Sequence, residues 1–258
     1  MEKKTIVITG STRGIGLGLA REFAKMDCQL VINGRSQASV DSRVEDLKKI
    51  CPDVIGVAGS VGEESTHKAL AEKAIEVFGK IDIWINNAGV PQPHERIVNV
   101  DTCHIHQLTE VNIAGSIIGS KTAANIMLKQ GFGKIFNMEG FGSDGRMMDK
   151  ITLYGTSKRA INYFSKSLAK ELKDSPIQVG IIQPGMVKTE FLNVSMDAAP
   201  EKERKQFEKV QRILAEDVDV VTKALAPRIL SSNKNYTRIE YLSKLRLMGK
   251  IFKMVLSR

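Results

Sequence analysis

The feature that most constrains this chain is a rhythm. Short β-branched runs recur along it, each followed by a longer stretch with helical spacing: TIVIT (5–9), QLVIN (29–33), DVIGVA (53–58), IDIWIN (81–86), KIFNM (134–138) and IQVGII (177–182). Runs that are apolar nearly throughout read as strands buried on both faces, and strands separated by helices pair in parallel through crossovers. Right-handed crossovers then predict a doubly wound parallel α/β sheet with helices on both faces, as one domain over residues 1–258. Helices are expected over 14–26, 37–50, 63–79, 102–130 and 152–174. Beyond Pro184 the pattern loosens into a charged helix over 200–219 and a last short strand in YTRIEYL, 236–242.

Composition narrows the function classes. Hydrophobic residues make up 42% of the 258 and charged ones 26%, as in an ordinary globular chain with one core. Of the net charge of +9, seven Lys/Arg and one Glu place +6 between Ser231 and Arg258. A basic tail on a near-neutral body argues against a nucleic-acid partner. Cys28, Cys51 and Cys103 are odd in number and widely spaced with no CxxC, which argues against both a disulfide framework and a zinc site. No metal is expected at His67, His94, His104 or His106 either, since no ligand cluster accompanies them. Reduced thiols, an opening MEKKTIVITG that leads straight into a strand with no signal or transit peptide, and no run of roughly 18 apolar residues lead to the expectation of a cytoplasmic protein. In SKLRLMGKIFKMVLSR, 243–258, Leu245, Met248, Phe252 and Val255 fall at helical spacing. Such a basic amphipathic helix can pack on the body, cover a neighbouring subunit or touch an anionic membrane surface peripherally.

The segment TGSTRGIG, Thr9 to Gly16, follows the first strand and opens a helix, the setting of a Rossmann phosphate loop. Gly10 permits the tight turn, Gly14 lets the backbone approach a diphosphate, and Gly16 lets helix pack on strand. With Ser11, Thr12 and Ile15 these residues present N–H groups at a helix start, where phosphate binds. Gly18, one turn on, serves packing. The second strand ends in NGRS, with no carboxylate to receive an adenosine ribose hydroxyl. Arg35 and Ser36 stand there, and Arg13 lies in the loop. Two guanidinium groups favour a 2′-phosphate, so NADP(H) is expected ahead of NAD(H). In YGTSK, Tyr154 and Lys158 are four apart on one helix face. A nearby ammonium and a cationic nicotinamide favour phenolate, so Tyr154 is expected to exchange a proton with a carbonyl/alcohol pair while the cofactor moves a hydride.

Four motifs in order, TGSTRGIG, NNAG (86–89), YGTSK (154–158) and QPGMVKT (183–189), resemble the short-chain dehydrogenase/reductase family over nearly the whole chain. The resemblance implies that Lys158 also binds the nicotinamide ribose and that Asn112, in EVNIAGS, holds a water linking Lys158 to solvent. It adds Asn87, Ala88, Gly89, Pro184, Gly185, Val187 and Thr189 to the cofactor site, together with Ser60 and Val61, which replace the family's Asp-Val. It also implies a homodimer or homotetramer built on the helices at 102–130 and 152–174. The family's substrate-binding serine aligns with Gly140. Glu139 beside it cannot donate a hydrogen bond unless protonated, whereas Ser143 can take the role if its glycine-rich loop folds back. FNMEGFGSDGR, YGTSKRA and PGMVKTEFL resemble the chlorophyll b reductase branch, which reduces a ring formyl group. The expected substrate is therefore a hydrophobic carbonyl or alcohol. The alternatives are a steroid or 3-oxoacyl reductase, and a catalytically inactive dinucleotide-binding regulator.

Overall fold

A computed structural model describes residues 2–196 and 199–241; the amphipathic segment 243–258 lies outside them. The order is β1 (Thr5–Ile8), α1 (Gly14–Lys25), β2 (Gln29–Gly34), α2 (Gln37–Lys48), β3 (Val54–Ala58), α3 (Glu64–Phe78), β4 (Ile83–Asn86), α4 (Thr102–Leu108), α5 (Gly115–Gln130), β5 (Gly133–Met138), α6 (Thr152–Glu171), β6 (Ile177–Gln183), α7 (Glu190–Met196), α8 (Glu201–Leu214), α9 (Val218–Ser231) and β7 (Thr237–Glu240). The strands form one seven-stranded sheet in the order β3-β2-β1-β4-β5-β6-β7. Every pairing is parallel. The chain winds outward from β1 to β3 and returns to set β4 against β1, so a crevice opens beyond the carboxyl ends of those two strands.

Strand alternation builds two cores. Ile6, Ile8, Ile83 and Ile85 point to one face, where they meet Leu17 and Phe23 of α1, Val40 of α2 and Val221, Leu225 and Ile229 of α9. Val7 and Trp84, between them in sequence, point to the other face, against Leu70 and Ala74 of α3 and Ala123 and Met127 of α5. The side-chain period of two splits each apolar run between the layers, which is why these strands read as continuous hydrophobic stretches.

Two segments depart from the pattern read in the sequence. The helix expected over 102–130 is interrupted by a π-helical turn, Thr109–Ala114, where Asn112 turns inward. At its end a Gly115 side chain would lie 2.8 Å from the Val61 carbonyl oxygen, so the wider turn meets a close backbone approach. Helix α9 carries Pro227 in its interior, a residue that argues against a helix locally. It forms because α1 offers a flat seam: a Cβ on Gly18 would meet Val218 and Thr222 of α9 at 2.6 and 2.8 Å. Among the described residues no helix is long and apolar enough to cross a membrane.

Gly18→Val should force α1 from α9 and cost about 1–3 kcal/mol by overpacking. Chemical denaturation would report it as a lower midpoint at unchanged slope, and an unaltered midpoint would show that the seam has room.

Candidate active site

The glycine turn is shaped by contacts that exclude side chains. Gly10 has φ +61°, and a Cβ there would lie 2.7 Å from the Cα of Ala88. A Cβ on Gly16 would lie 2.4 Å from the Gly10 carbonyl oxygen. The Asn87 side-chain amide donates to the carbonyls of Thr9 and Gly10 at 3.0 and 2.9 Å, and the Thr9 hydroxyl accepts from the backbone N–H groups of Asn87 and Ala88. Ser11 is buried, its hydroxyl donating to the Ile8 carbonyl. Arg13 holds the N-cap position of α1 and no side chain caps that helix. The N–H groups of the first turn are thus left for an anion. Toward that turn Gly14, with φ +55°, faces only the Thr189 methyl at 3.5 Å. A cradle of backbone donors that no side chain obstructs fits a dinucleotide diphosphate.

The place expected for the adenosine is bordered by the ends of β2 and β3. A Gly34 side chain would strike Thr12, so the turn bearing Arg13 and the turn bearing Arg35 lie side by side. Arg35 is exposed. Arg13 reaches Glu190 at the start of α7, 2.9 Å away, with both groups largely in solvent. Ser36 caps α2 by accepting from the Ser39 N–H. The Ser60 hydroxyl accepts from the Gly62 N–H at 3.3 Å, and the Val61 carbonyl is held 2.7 Å from the His67 ring, whose pKa burial pushes down. Across the crevice, Gly185 turns at φ +77° after Pro184, Val187 bridges to Glu216, and Thr189 donates to the Val187 carbonyl. Thr189 also lines a cleft of about 400 Å³ with Lys188, Glu190, Asn193, Gln211 and Arg212.

At the chemical end α6 lays Tyr154 and Lys158 against the end of β5. The Tyr154 hydroxyl sits where a Gly140 side chain would be, 2.3 Å from the place of its Cβ. Lys158 is buried, donates to the Met138 carbonyl at 3.1 Å and stands 5.6 Å from the Tyr154 ring centre. Burial pushes the Lys158 ammonium down to about 8, against the opposing influence of Glu139. Burial also pushes the Tyr154 phenol above its ordinary range. The Lys158 ammonium stands beside the Tyr154 ring but is turned toward the Met138 carbonyl, and the expected acidification of the phenol calls on a cationic nicotinamide as well. The Asn112 side chain accepts from the Val90 N–H at 2.8 Å and donates to the Val90 carbonyl and the Ser157 hydroxyl at 3.0 and 3.3 Å.

The loop after β5 does fold back. A Gly142 side chain would strike the Gly155 backbone at 2.7 Å, the Ser143 N–H donates to the Gly140 carbonyl, and Arg159 donates to the Ser143 carbonyl. Ser143 is buried and its hydroxyl has no partner. Phe191 of α7 meets the Tyr154 ring edge-on with centres 5.6 Å apart.

Other supporting residues carried no signal in the sequence. Gln92, buried in an ordinary-looking PQPH loop, accepts the Tyr154 N–H at 2.9 Å and donates to the Lys150 carbonyl at 3.0 Å. Asn33 accepts the Gly10 N–H and donates to the carbonyls of Val57 and Gly59, joining the ends of β1, β2 and β3. Glu203 of α8 holds Lys150 at 2.6 Å and His94 at 3.1 Å, tying two loops to that helix. At the opposite end of the strands Asp27, Cys51 and Asp53 offer ligand atoms within 4.8 Å of one another, but the Lys3 ammonium already bridges the two carboxylates at 2.6 and 2.9 Å.

With this geometry in place, likeness to known proteins is informative. Residues 4–200 match the family described as short chain dehydrogenase. The chain is 37% identical over 97% of its length to "Chlorophyll(ide) b reductase NOL, chloroplastic" of Oryza sativa subsp. japonica, spanning 74% of that protein. It is 30% identical over 95% of its length to "Probable chlorophyll(ide) b reductase NYC1, chloroplastic" of Arabidopsis thaliana, spanning 52% of that longer chain. The 3-ketoacyl-(acyl-carrier-protein) reductase of Brucella melitensis, solved with NADH, superposes with a TM-score of 0.80 at 24% identity, covering 93% of this chain and 97% of that one, and shares the fold. Because both plant relatives are described as chloroplastic, the cytoplasmic expectation is overturned. The chain belongs to the short-chain dehydrogenase family, oxidoreductases that act on carbonyl and hydroxyl groups with a nicotinamide dinucleotide.

Proposed function

We propose that this protein is an NADP(H)-dependent reductase of a carbonyl on a bulky hydrophobic substrate, with a ring formyl group as in chlorophyll(ide) b the preferred case. The observation that carries the reading is the pairing of Tyr154 with Gly140, where the family has serine, in a chain that aligns over 97% of its length with a chlorophyll(ide) b reductase. A glycine at that point leaves the Tyr154 hydroxyl without a fixed side-chain neighbour and suits a substrate too large to tolerate one.

The residues of this chain divide the work. Gly10, Ser11, Thr12, Gly14, Ile15 and Gly16 hold the diphosphate, while Arg13, Arg35 and Ser36 take the 2′-phosphate. Ser60 and Val61 meet the adenine. Asn87, Ala88, Gly89, Pro184, Gly185, Val187 and Thr189 border the nicotinamide half. The reduced nicotinamide supplies the hydride when bound. Tyr154 exchanges the proton with the carbonyl/alcohol pair, giving it to the developing alkoxide in the reductive direction. Lys158 restores that proton and binds the nicotinamide ribose, and Asn112 keeps Lys158 in contact with solvent through a water. The unpartnered Ser143 hydroxyl donates to the substrate oxygen in place of the missing serine. Exposed Ile117, Leu128 and Tyr163 on α5 and α6 suit a homo-oligomeric contact.

Turnover of NADPH with chlorophyllide b, a steroid ketone and a 3-oxoacyl thioester tests the reading. Reduction of the formyl compound is expected, and Tyr154→Phe should lower it by about 10²–10⁴-fold while NADPH affinity holds. Rapid reduction of the steroid or thioester with none of chlorophyllide b would favour the rival reductase, and cofactor binding without any turnover would favour the regulator.

Replacing Arg13 and Arg35 together by Ala should weaken NADPH by about tenfold or more, since a charge-assisted hydrogen bond is worth about 1.5–3 kcal/mol, and leave NADH nearly unchanged. Equal losses in a fluorescence titration of both cofactors would refute the 2′-phosphate assignment. Ser143→Ala should reduce kcat by about 10²-fold, the usual effect of removing one donor to a developing oxyanion, with cofactor affinity retained; unchanged kcat would remove Ser143 from the chemistry.

A further inference from the structure

Helix α6 presents more than two functional side chains to the end of β5. Tyr154, Lys158 and Asn162 follow at intervals of four and therefore form one stripe. Along that stripe Tyr154 meets Gly140, Lys158 meets the Met138 carbonyl, and Asn162 donates to the carboxylate of Glu139. Glu139 thus stands between Met138, the last residue of β5, and Gly140, the two residues that the proton-handling pair touches. Its side chain is wholly shielded from solvent, and its backbone N–H donates to the Ile182 carbonyl of β6. On the far side Arg238 of β7 brings a guanidinium nitrogen to 3.2 Å from the second carboxylate oxygen, which nevertheless has no aligned hydrogen bond. Arg238 is shared, since it also pairs with Glu240 at 2.6 Å. Tyr236 on the approach to β7 is a further group within reach of the Glu139 charge.

A buried carboxylate with one weak neutralising partner is costly unless another cation uses its field. The nearest cation on the catalytic stripe is Lys158. We propose that Glu139 is a positioning residue for proton transfer: its buried carboxylate keeps Lys158 charged beside Tyr154, and Arg238 on β7 tempers that effect. The inference rests on the reading of Tyr154 and Lys158 as the proton-transfer pair. Its consequence is that the last strand, far along the chain from the catalytic motif, sets the pH range over which the enzyme works. The direction of the Lys158 shift agrees: burial lowers it and Glu139 opposes the fall.

The test follows Lys158 directly, without turnover. In full-length protein labelled at lysine, the Cε resonance lost in Lys158→Met is titrated with pH by NMR. Glu139→Gln keeps the oxygen that Asn162 needs and removes the charge, so Lys158 should titrate about one pH unit lower, as expected for loss of a nearby opposite charge. Glu139→Asp should restore most of the difference, and Arg238→Gln should move the titration upward. The alkaline limb of kcat for NADPH-driven chlorophyllide b reduction should move in the same directions, since the ammonium is the form that works and is lost as pH rises. A Lys158 titration unmoved in Glu139→Gln, or moved the same way by Glu139→Gln and Arg238→Gln, overturns the proposal. If Glu139→Gln does not fold, the upward shift in Arg238→Gln decides alone. Should no carbonyl be reduced while the titrations still shift, the functional reading fails and the electrostatic role of Glu139 stands.

Discussion

The structure depends on how closely two backbone segments approach at the centre of the sheet. Where β1 ends, the glycine turn presses on the segment leaving β4: Gly10 against Ala88, Gly16 against the Gly10 carbonyl, with Asn87 tying Thr9 and Gly10 from across the gap. Any Cβ at Gly10 or Gly16 would have to displace backbone, which rigid, parallel, doubly covered strands cannot yield. The contact fixes where α1 begins, and therefore where its uncapped N–H groups lie. It also fixes the mouth of the crevice, because β1 and β4 are the strands between which the winding reverses.

Around that contact the carboxyl ends of the strands carry an unusual share of buried amide and hydroxyl groups. Asn86 donates to Ser120 and Asn137 and accepts from the Trp84 indole, while Asn137 donates to Ser165 of α6. Each of these groups has found a partner, which is the condition for polar side chains to be tolerated in a core. Such a network specifies register as well as stability. A strand shifted by one residue would leave several of them unsatisfied. Sheet, α5 and α6 are thereby locked in the arrangement that presents Tyr154 and Lys158 to the end of β5.

Electrostatics at that end follow from burial more than from neighbouring charge. Burial raises the pKa of the partly buried Tyr154 and lowers that of the buried Lys158, each shift being toward the neutral form. The Lys158 ammonium is brought down to about 8. The charge that opposes the fall at Lys158 is Glu139, just beyond β5, and Arg238 of β7 lies behind that carboxylate at 3.2 Å.

The fold was legible in the amino-acid order because apolar runs and glycine turns are local signals: the seven strands fall on the short runs read from the sequence, and Gly10, Gly14 and Gly16 punctuate the turn from β1 to α1. Tyr154 and Lys158 were legible for the same reason, since a spacing of four places them on one face of a helix. What the order could not carry was anything that depends on residues far apart in it. Helix α9 contradicts its own Pro227 and forms against Gly18; Gln92 supports Tyr154 from an unremarkable loop; Arg13 is drawn toward Glu190; and Arg238 reaches Glu139 across β6. The sequence by itself determined a doubly wound sheet, a dinucleotide cradle and a tyrosine–lysine pair. Only the tertiary structure decided the desolvation of that pair and the charges that answer it, because burial is a property of what packs around a group and not of the group's place in the chain.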